Sequence, residues 1–171
     1  MNGLLHLKTE DFYIRDGTKG KILCHKVPNF SVILFYSPVC EHCQRLMPMF
    51  KTLPSAIHGV SFGIVNVSSS KDVIGMAKAT VSPVRYVPYI VLYVDGVPYM
   101  SYKGENTSQG IGQFIVEVIN NIQKKQSFTN NKVQKERKSS IPQYTIGQPI
   151  KGFGKDTVTY LEFDGTSYHH K

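Results

Sequence analysis

The hydrophobic pattern of residues 1–122 alternates between short apolar runs and helical repeats. Residues 32–36, VILFY, form a continuous apolar run that is typical of a strand covered on both faces of a sheet. Residues 108–122 carry apolar side chains at helical spacing, which predicts an amphipathic helix. Asp95-Gly96 separates two apolar runs and predicts a β-hairpin. Further strands are predicted at 4–7, 61–67, 90–94 and 98–102, a hairpin over 12–24, and helices at 41–50 and 71–79.

The order of these elements predicts the fold class. A β-α-β unit comes first, and its two strands are expected to be parallel because a helix connects them. A β-β-α ending follows, and its hairpin adds antiparallel strands. We therefore predict an α/β domain over residues 1–122, with a central mixed sheet flanked by helices and followed by a C-terminal extension.

The candidate chemistry lies at the junction between the strand at 32–36 and the following helix, where the chain reads Cys40-Glu41-His42-Cys43. Unpaired backbone N–H groups and the positive end of the helix dipole stabilise a thiolate at a helix start. His42 can add a second positive charge. Because the thiolate is the nucleophile in disulfide exchange, we predict that Cys40 attacks and Cys43 resolves.

Two other interpretations of the cysteine pair have to be considered. Zinc sites use the same spacing, but they usually need a second cysteine pair or a matching histidine pair. Cys24 is the one cysteine outside the motif and lies in an apolar run, and the other histidines are scattered. We therefore predict neither a metal nor a cofactor, and we expect Cys24 to be a buried strand residue. A structural or vestigial disulfide between Cys40 and Cys43 stays open.

The segment at 35–43, FYSPVCEHC, resembles the active-site segment of protein disulfide isomerases, FYAPWCGHC. Pro48 matches the proline that kinks the active-site helix of the thioredoxin-like superfamily. The resemblance covers residues 1–122 and implies a thioredoxin-like fold and an oxidoreductase that acts on protein disulfides. It also implies that Val87-Pro88 is the cis-proline segment facing the cysteines, where the Val87 backbone pairs with substrate and Pro88 shields the pair. Val39 is the residue that flanks the attacking cysteine.

Three departures from that pattern lower the expected catalytic efficiency. Leu34 stands six residues before Cys40, where the family usually has a buried acid that helps to remove the proton of the resolving cysteine. Val39 replaces the usual Trp, and the chain contains no Trp. Gln44 replaces a common Lys, which removes a positive neighbour of the motif.

The composition changes after residue 122. Residues 123–140 carry six basic side chains and one acidic side chain, so they account for most of the net charge of +8. We interpret them as a flexible basic linker, or as a tether to an acidic surface on protein, nucleic acid or lipid. Residues 141–171 form an extended tail in which 158–163 alternate like a strand. A lone strand needs a partner, so this one is expected to dock on its own domain, on another copy or on a partner sheet.

The cysteine count and the apolar runs suggest a compartment. No run approaches the length of a membrane span, the N-terminus lacks a signal-peptide pattern, and three cysteines suit a reducing compartment such as the cytoplasm. The hairpin at 89–100 and the Tyr102-Lys103-Gly104 exit are also similar to thioredoxin-like proteins of large double-stranded DNA viruses. That similarity implies an alternative function as a structural adaptor in a virion, for example a minor capsid protein with the tail as an assembly arm. The predicted partners are therefore protein substrates or a protein assembly.

Overall fold

The computed structural model describes residues 3–138 of the chain. These residues form strands, helices and a short 3-10 turn at Thr9–Asp11. The strands are β1 (Leu4–His6), β2 (Phe12–Gly17), β3 (Gly20–His25), β4 (Phe30–Tyr36), β5 (Ser61–Asn66), β6 (Tyr89–Val94) and β7 (Val97–Tyr102). The helices are α1 (Glu41–Phe50), α2 (Leu53–Ala56), α3 (Lys71–Lys78) and α4 (Ser108–Lys138).

Five strands form the central sheet in the order β1-β5-β4-β6-β7. Strands β1, β5 and β4 pair in parallel, whereas β6 and β7 are antiparallel additions. Leu34, in the middle of β4, lies between Ile64 of β5 and Ile90 of β6. The mixed sheet flanked by helices that the sequence predicts is therefore confirmed.

The continuous apolar run in β4 is explained by two separate cores on the two faces of the sheet. Successive strand residues point to opposite faces, so Val32 and Leu34 join the core under α1 and α4. Ile33 and Phe35 join the second core, which α3 and the first hairpin cover. Because both faces are buried, β4 has no polar face.

The hairpin predicted over 12–24 is present as β2 and β3, which form their own two-stranded sheet. Its last residue, His25, joins it to the turn between β6 and β7, where the His25 N–H donates to the Gly96 carbonyl at 2.9 Å. Gly96 has a φ of +78°, and a Cβ there would collide with the His25 backbone. The turn therefore requires glycine both for its conformation and for this contact.

The His25 side chain is buried, with 1% of its surface exposed. Its Nδ1 accepts the Val27 N–H at 3.1 Å, and its Nε2 lies 3.2 Å from the Ser31 Oγ. Because a backbone N–H can only donate, the proton of the neutral ring is on Nε2, which donates to Ser31. The ring centroid is 4.2 Å from that of Tyr93. Burial lowers the pKa of His25 to about 4, although the nearby Asp11 carboxylate opposes the shift.

The last helix is longer than the sequence analysis predicts. We expected a helix at 108–122 followed by a flexible linker at 123–140, but α4 continues to Lys138. The helix therefore ends later than predicted, and the role of residues 123–140 as a basic linker stays a prediction. Residues 123–138 contain neither Gly nor Pro and are rich in Lys and Gln, which favour helix over coil. Residues 139–171, with the predicted strand at 158–163, lie outside the described residues, and the domain boundary at 122 stays a prediction.

Candidate thiol–disulfide site

The site begins where β4 ends and α1 starts. Cys40 is the N-cap residue of α1, with an extended backbone, and its Sγ accepts the Cys43 N–H at 3.3 Å. This N–H is one of the first-turn donors that have no partner within a helix. The Cys40 sulfur therefore occupies the position at which a helix start favours a negative charge.

The loop before β6 supplies the other side of the site. The Cys40 Sγ lies 3.7 Å from the Val87 carbonyl oxygen, and the peptide bond between Val87 and Pro88 is cis. Cys40, Val87 and Pro88 are all half-buried. The structure thus brings together Cys40 and the loop that the sequence analysis placed beside it.

Cys43 lies behind Cys40 and is almost completely buried, with 1% of its surface exposed. Burial, with the hydrogen bond to Cys40, raises the pKa of Cys43 to about 11, although a backbone hydrogen bond from Ser37 opposes this shift. The Cys43 thiol therefore keeps its proton at neutral pH. None of Cys24, Cys40 and Cys43 forms a disulfide bond in the structure, and Cys24 is buried in β3, as expected.

The two remaining site residues of the sequence analysis, Val39 and His42, are exposed to solvent. Val39 has 88% of its surface exposed, the largest fraction among the exposed large apolar side chains of the described residues. His42 is on the first turn of α1, and the hydrogen bonds of Cys40 run to Cys43 and Val87 rather than to the His42 ring. The predicted roles of Val39 and His42 therefore stay predictions.

The departures from the family pattern also have clear positions. Leu34 is fully buried in the core under α1 and α4, so an apolar side chain fills the place of the acid. Gln44 does not simply replace a charge, because its Nε2 donates to the Pro38 carbonyl at 2.6 Å. That bond ties the first turn of α1 to the loop before it. Sequence reasoning missed this role, since an amide gives no signal until its partner is known.

An open groove of about 470 Å³ runs along α1 and reaches Cys43. The sequence analysis missed this groove, although its helical signal is visible in the spacing of Cys43, Met47 and Lys51, each four residues apart. The space is large enough for water molecules. The residues that line it are Tyr36, Ser37, Pro38, Cys43, Gln44, Met47, Pro48 and Lys51.

Residues 3–138 contain neither a candidate metal cluster nor a candidate membrane-spanning helix. No group of three or more His, Cys, Asp or Glu side chains in this part of the chain could hold a metal ion. No helix in the same region is both long enough and apolar enough to cross a membrane.

The chain is similar both to a protein-family model and to individual proteins. The thioredoxin family model matches residues 22–117, which include both cysteines of the motif. Uncharacterized protein 196R of Invertebrate iridescent virus 6 is 31% identical over 96% of this chain and 93% of its own length. Uncharacterized protein 020R of Invertebrate iridescent virus 3 is 34% identical over 95% and 94%. Protein disulfide-isomerase like 2-2 of Arabidopsis thaliana is 28% identical over 67% of this chain, which spans 26% of the plant protein.

These matches confirm the resemblance to protein disulfide isomerase-type domains and to viral proteins that residues 35–43 and the hairpin at 89–100 indicate. They agree with the observed sheet order and with the position of the Cys-x-x-Cys pair at the start of α1. The chain therefore belongs to the thioredoxin family, a family of thiol–disulfide oxidoreductases.

Proposed function

We propose that this protein is a thiol–disulfide oxidoreductase in which Cys40 attacks a protein disulfide and Cys43 resolves the product. The observation that carries the proposal is the placement of the Cys40 sulfur. It lies at the N-cap of α1, accepts the Cys43 N–H at 3.3 Å and stays partly accessible, while Cys43 is buried behind it. This arrangement gives the two thiols different roles.

The reaction is a pair of disulfide exchanges. The Cys40 thiolate attacks one sulfur of the substrate disulfide, which forms a mixed disulfide and releases the other substrate sulfur as a thiolate that takes up a proton. The Cys43 thiol then loses its proton and attacks the Cys40 sulfur, which releases the second substrate thiol. The substrate is reduced to a dithiol, and the protein is oxidised to a Cys40–Cys43 disulfide that an external dithiol must reduce again.

The substrate is expected to bind across the exposed end of the site. The Val87 carbonyl oxygen, 3.7 Å from the Cys40 sulfur, borders the position that an incoming disulfide has to occupy. We propose that an extended substrate segment pairs with the Val87 backbone, that Pro88 shields the thiols, and that Val39 provides apolar contact. His42 is proposed to add positive charge near Cys40.

The test is the reduction of a model protein disulfide with dithiothreitol as the reductant. The protein should accelerate the reaction, and Cys40→Ser should return the rate to the dithiothreitol background. Cys24→Ala is the matched control, because Cys24 is buried in β3, away from the pair, and its loss should leave turnover unchanged once folding is verified by circular dichroism. Equal rates with and without the protein would contradict the proposal.

A second candidate function, a structural adaptor, is favoured by the extent of the viral matches. Proteins 196R and 020R match 96% and 95% of the chain, so the similarity extends past the thioredoxin family match, which ends at residue 117. We propose that residues 139–171 serve as an assembly arm in a virion, and that the protein otherwise works in a reducing compartment such as the cytoplasm. If so, Cys40→Ser/Cys43→Ser protein should still self-associate or bind its assembly, and a chain that ends at residue 138 should not. Sedimentation of the two proteins distinguishes these outcomes.

A further inference from the structure

The resolving thiol, Cys43, is almost completely shielded from solvent. Cys43 has 1% of its surface exposed, and the groups that contact its sulfur are Cys40 and the Ser37 backbone. To attack the mixed disulfide, this thiol must first lose its proton. The question is which neighbouring group can take it.

Within residues 3–138, the surroundings of Cys43 offer no strong base. Leu34, which has the sequence position of the family's buried acid, is fully buried in the core under α1 and α4. Among the described residues that line the groove, the titratable side chains besides Cys43 are Tyr36 from β4 and Lys51 from the end of α1. Neither side chain supplies a carboxylate or an imidazole, the groups that usually act as bases in proteins.

The uncharged polar groups nearby are already engaged. The Ser37 hydroxyl is 2.9 Å from the Ser68 hydroxyl, and the Gln44 amide donates to the Pro38 carbonyl. Neither a hydroxyl nor an amide accepts a proton at neutral pH. With the described residues excluded as bases, we take the acceptor to be water or hydroxide that enters through the groove.

We infer, on the basis of the proposed function, that this protein retains its substrates covalently, as a long-lived mixed disulfide on Cys40. The described residues place Cys40 where a thiolate is stabilised for capture, but they give Cys43 no base for release. Capture uses the accessible Cys40 sulfur at the helix start. Release transfers the Cys43 proton to water or hydroxide in the groove, after which the Cys43 thiolate displaces the substrate sulfur from Cys40. The protein is then a disulfide-dependent holder of its partners, with release controlled by access to Cys43.

Covalent retention has a defined pH signature. Among the described residues, the charged or titratable groups that interact with Cys43 or line the same groove are Cys40, Tyr36 and Lys51. Burial, which does not depend on the Cys40 thiol, keeps the pKa of Cys43 raised in the mixed disulfide, so its thiolate fraction grows close to tenfold with each pH unit near neutral pH. The release rate should therefore rise by about that factor per unit from pH 7 to pH 9.

The experiment uses the full chain and a peptide whose single cysteine is joined by a disulfide to nitrothiobenzoate. Attack by Cys40 on the peptide sulfur releases the coloured thiol, so absorbance reports capture. Mass spectrometry of acid-quenched samples counts the chain–peptide adduct and follows its loss. We expect the adduct to approach one per chain at pH 7 and to decay at least tenfold more slowly than it forms.

Two cysteine variants separate the inference from the proposed function. Cys43→Ser should form the same adduct and never release it, whereas Cys40→Ser should form none. If Cys43→Ser accumulates adduct but the unmodified chain does not, or if decay is flat from pH 7 to pH 9, retention is overturned and the oxidoreductase proposal stands. If neither protein forms adduct, both are overturned.

Adding a base beside Cys43 at an exposed position provides a further test that leaves the core unchanged. Gln44 is exposed and lines the groove, so Gln44→Glu adds a carboxylate near Cys43. Gln44→Met is the matched control, because it loses the same bond to Pro38 without adding a base. We expect decay of the adduct at pH 7 to be several-fold faster in Gln44→Glu than in Gln44→Met. Equal rates would overturn proton removal as the step that holds the adduct.

Discussion

A buried titratable side chain lies near each end of β4, and the two side chains differ in the hydrogen bonds that their polar atoms make. Before the start of the strand, His25 accepts one hydrogen bond from Val27, donates one to Ser31 and packs against the tilted ring of Tyr93. Beyond its end, Cys43 contacts a second reactive sulfur and borders a water-accessible groove. Both groups are neutral at pH 7, and burial is the main cause in each case.

The difference separates a structural centre from a chemical one. Both ring nitrogens of neutral His25 have partners, so any change of its charge state disrupts contacts that hold the first hairpin on the sheet. Cys43 has only weak contacts to its sulfur, and its function under the proposal requires it to ionise. We therefore expect changes at His25 to act on stability and changes at Cys43 to act on redox kinetics.

The largest expected effect on stability comes from His25→Ala. The change leaves a cavity against Tyr93 and removes the hydrogen-bond partners of Val27 and Ser31. We expect the free energy of unfolding to fall by about 4 kcal/mol. Cys43→Ser, a nearly isosteric change at the other end, should cost about 1 kcal/mol. Urea denaturation followed by circular dichroism measures both. Equal losses in the two variants would break the comparison.

Acid should destabilise the protein through His25. Its pKa is about 4 in the folded protein and about 6.5 in the unfolded chain, so the unfolded chain binds the proton first as pH falls. The stability that the neutral ring provides is complete above pH 6.5 and is lost between pH 6.5 and pH 4, by about 3 kcal/mol.

The non-titrating variant His25→Gln isolates this contribution from that of other groups. Its free energy of unfolding should be lower than that of the unmodified protein at pH 7 but should change less between pH 7 and pH 4. Denaturant titrations at several pH values give the two slopes. Parallel pH profiles for the two proteins would show that another group causes the acid sensitivity.

Ser31 and Ser37, which lie near the two ends of β4, allow the same comparison with smaller expected losses of stability. Ser31→Ala removes the acceptor of the buried His25 Nε2–H, so we expect a loss of about 2 kcal/mol. Ser37→Ala leaves only the exposed Ser68 hydroxyl, which can turn to water, and should cost about 0.5 kcal/mol. Thermal unfolding of both variants checks the ranking, and a greater loss in Ser37→Ala would reverse it.

Local patterns were sufficient to predict the cysteine site and most of the fold. The apolar run in β4, the helical repeat in α4 and Asp95-Gly96 each determine their element through nearby residues. The motif at 40–43 requires only a strand followed by a helix start, and both are local features. The sequence therefore predicts the position of Cys40 at the start of α1. The burial of Cys43 behind it is known only from the structure.

Features that depend on distant partners were not predictable. The hydrogen bonds of His25 join β3 to the start of β4 and to the turn at Gly96, and no spacing in the sequence predicts that these segments lie together. Gln44 gives no signal without Pro38. The end of α4 was misjudged for another reason. The sequence analysis used the loss of apolar residues after 122 as a helix end, whereas a helix without Gly or Pro continues on propensity alone.

The smallest expected stability effect belongs to the exposed rim of the cysteine site. Val39 is 88% exposed, so Val39→Trp should change the free energy of unfolding by less than about 0.5 kcal/mol. A Trp beside Cys40 adds an aromatic contact surface for substrate, worth about 1 kcal/mol, and should lower KM several-fold in the disulfide reduction assay. Val81→Trp is the matched control, because Val81 is also exposed but contacts β3 rather than the site. If both variants lowered KM equally, the gain would come from general surface hydrophobicity and Val39 would have no special position beside the substrate.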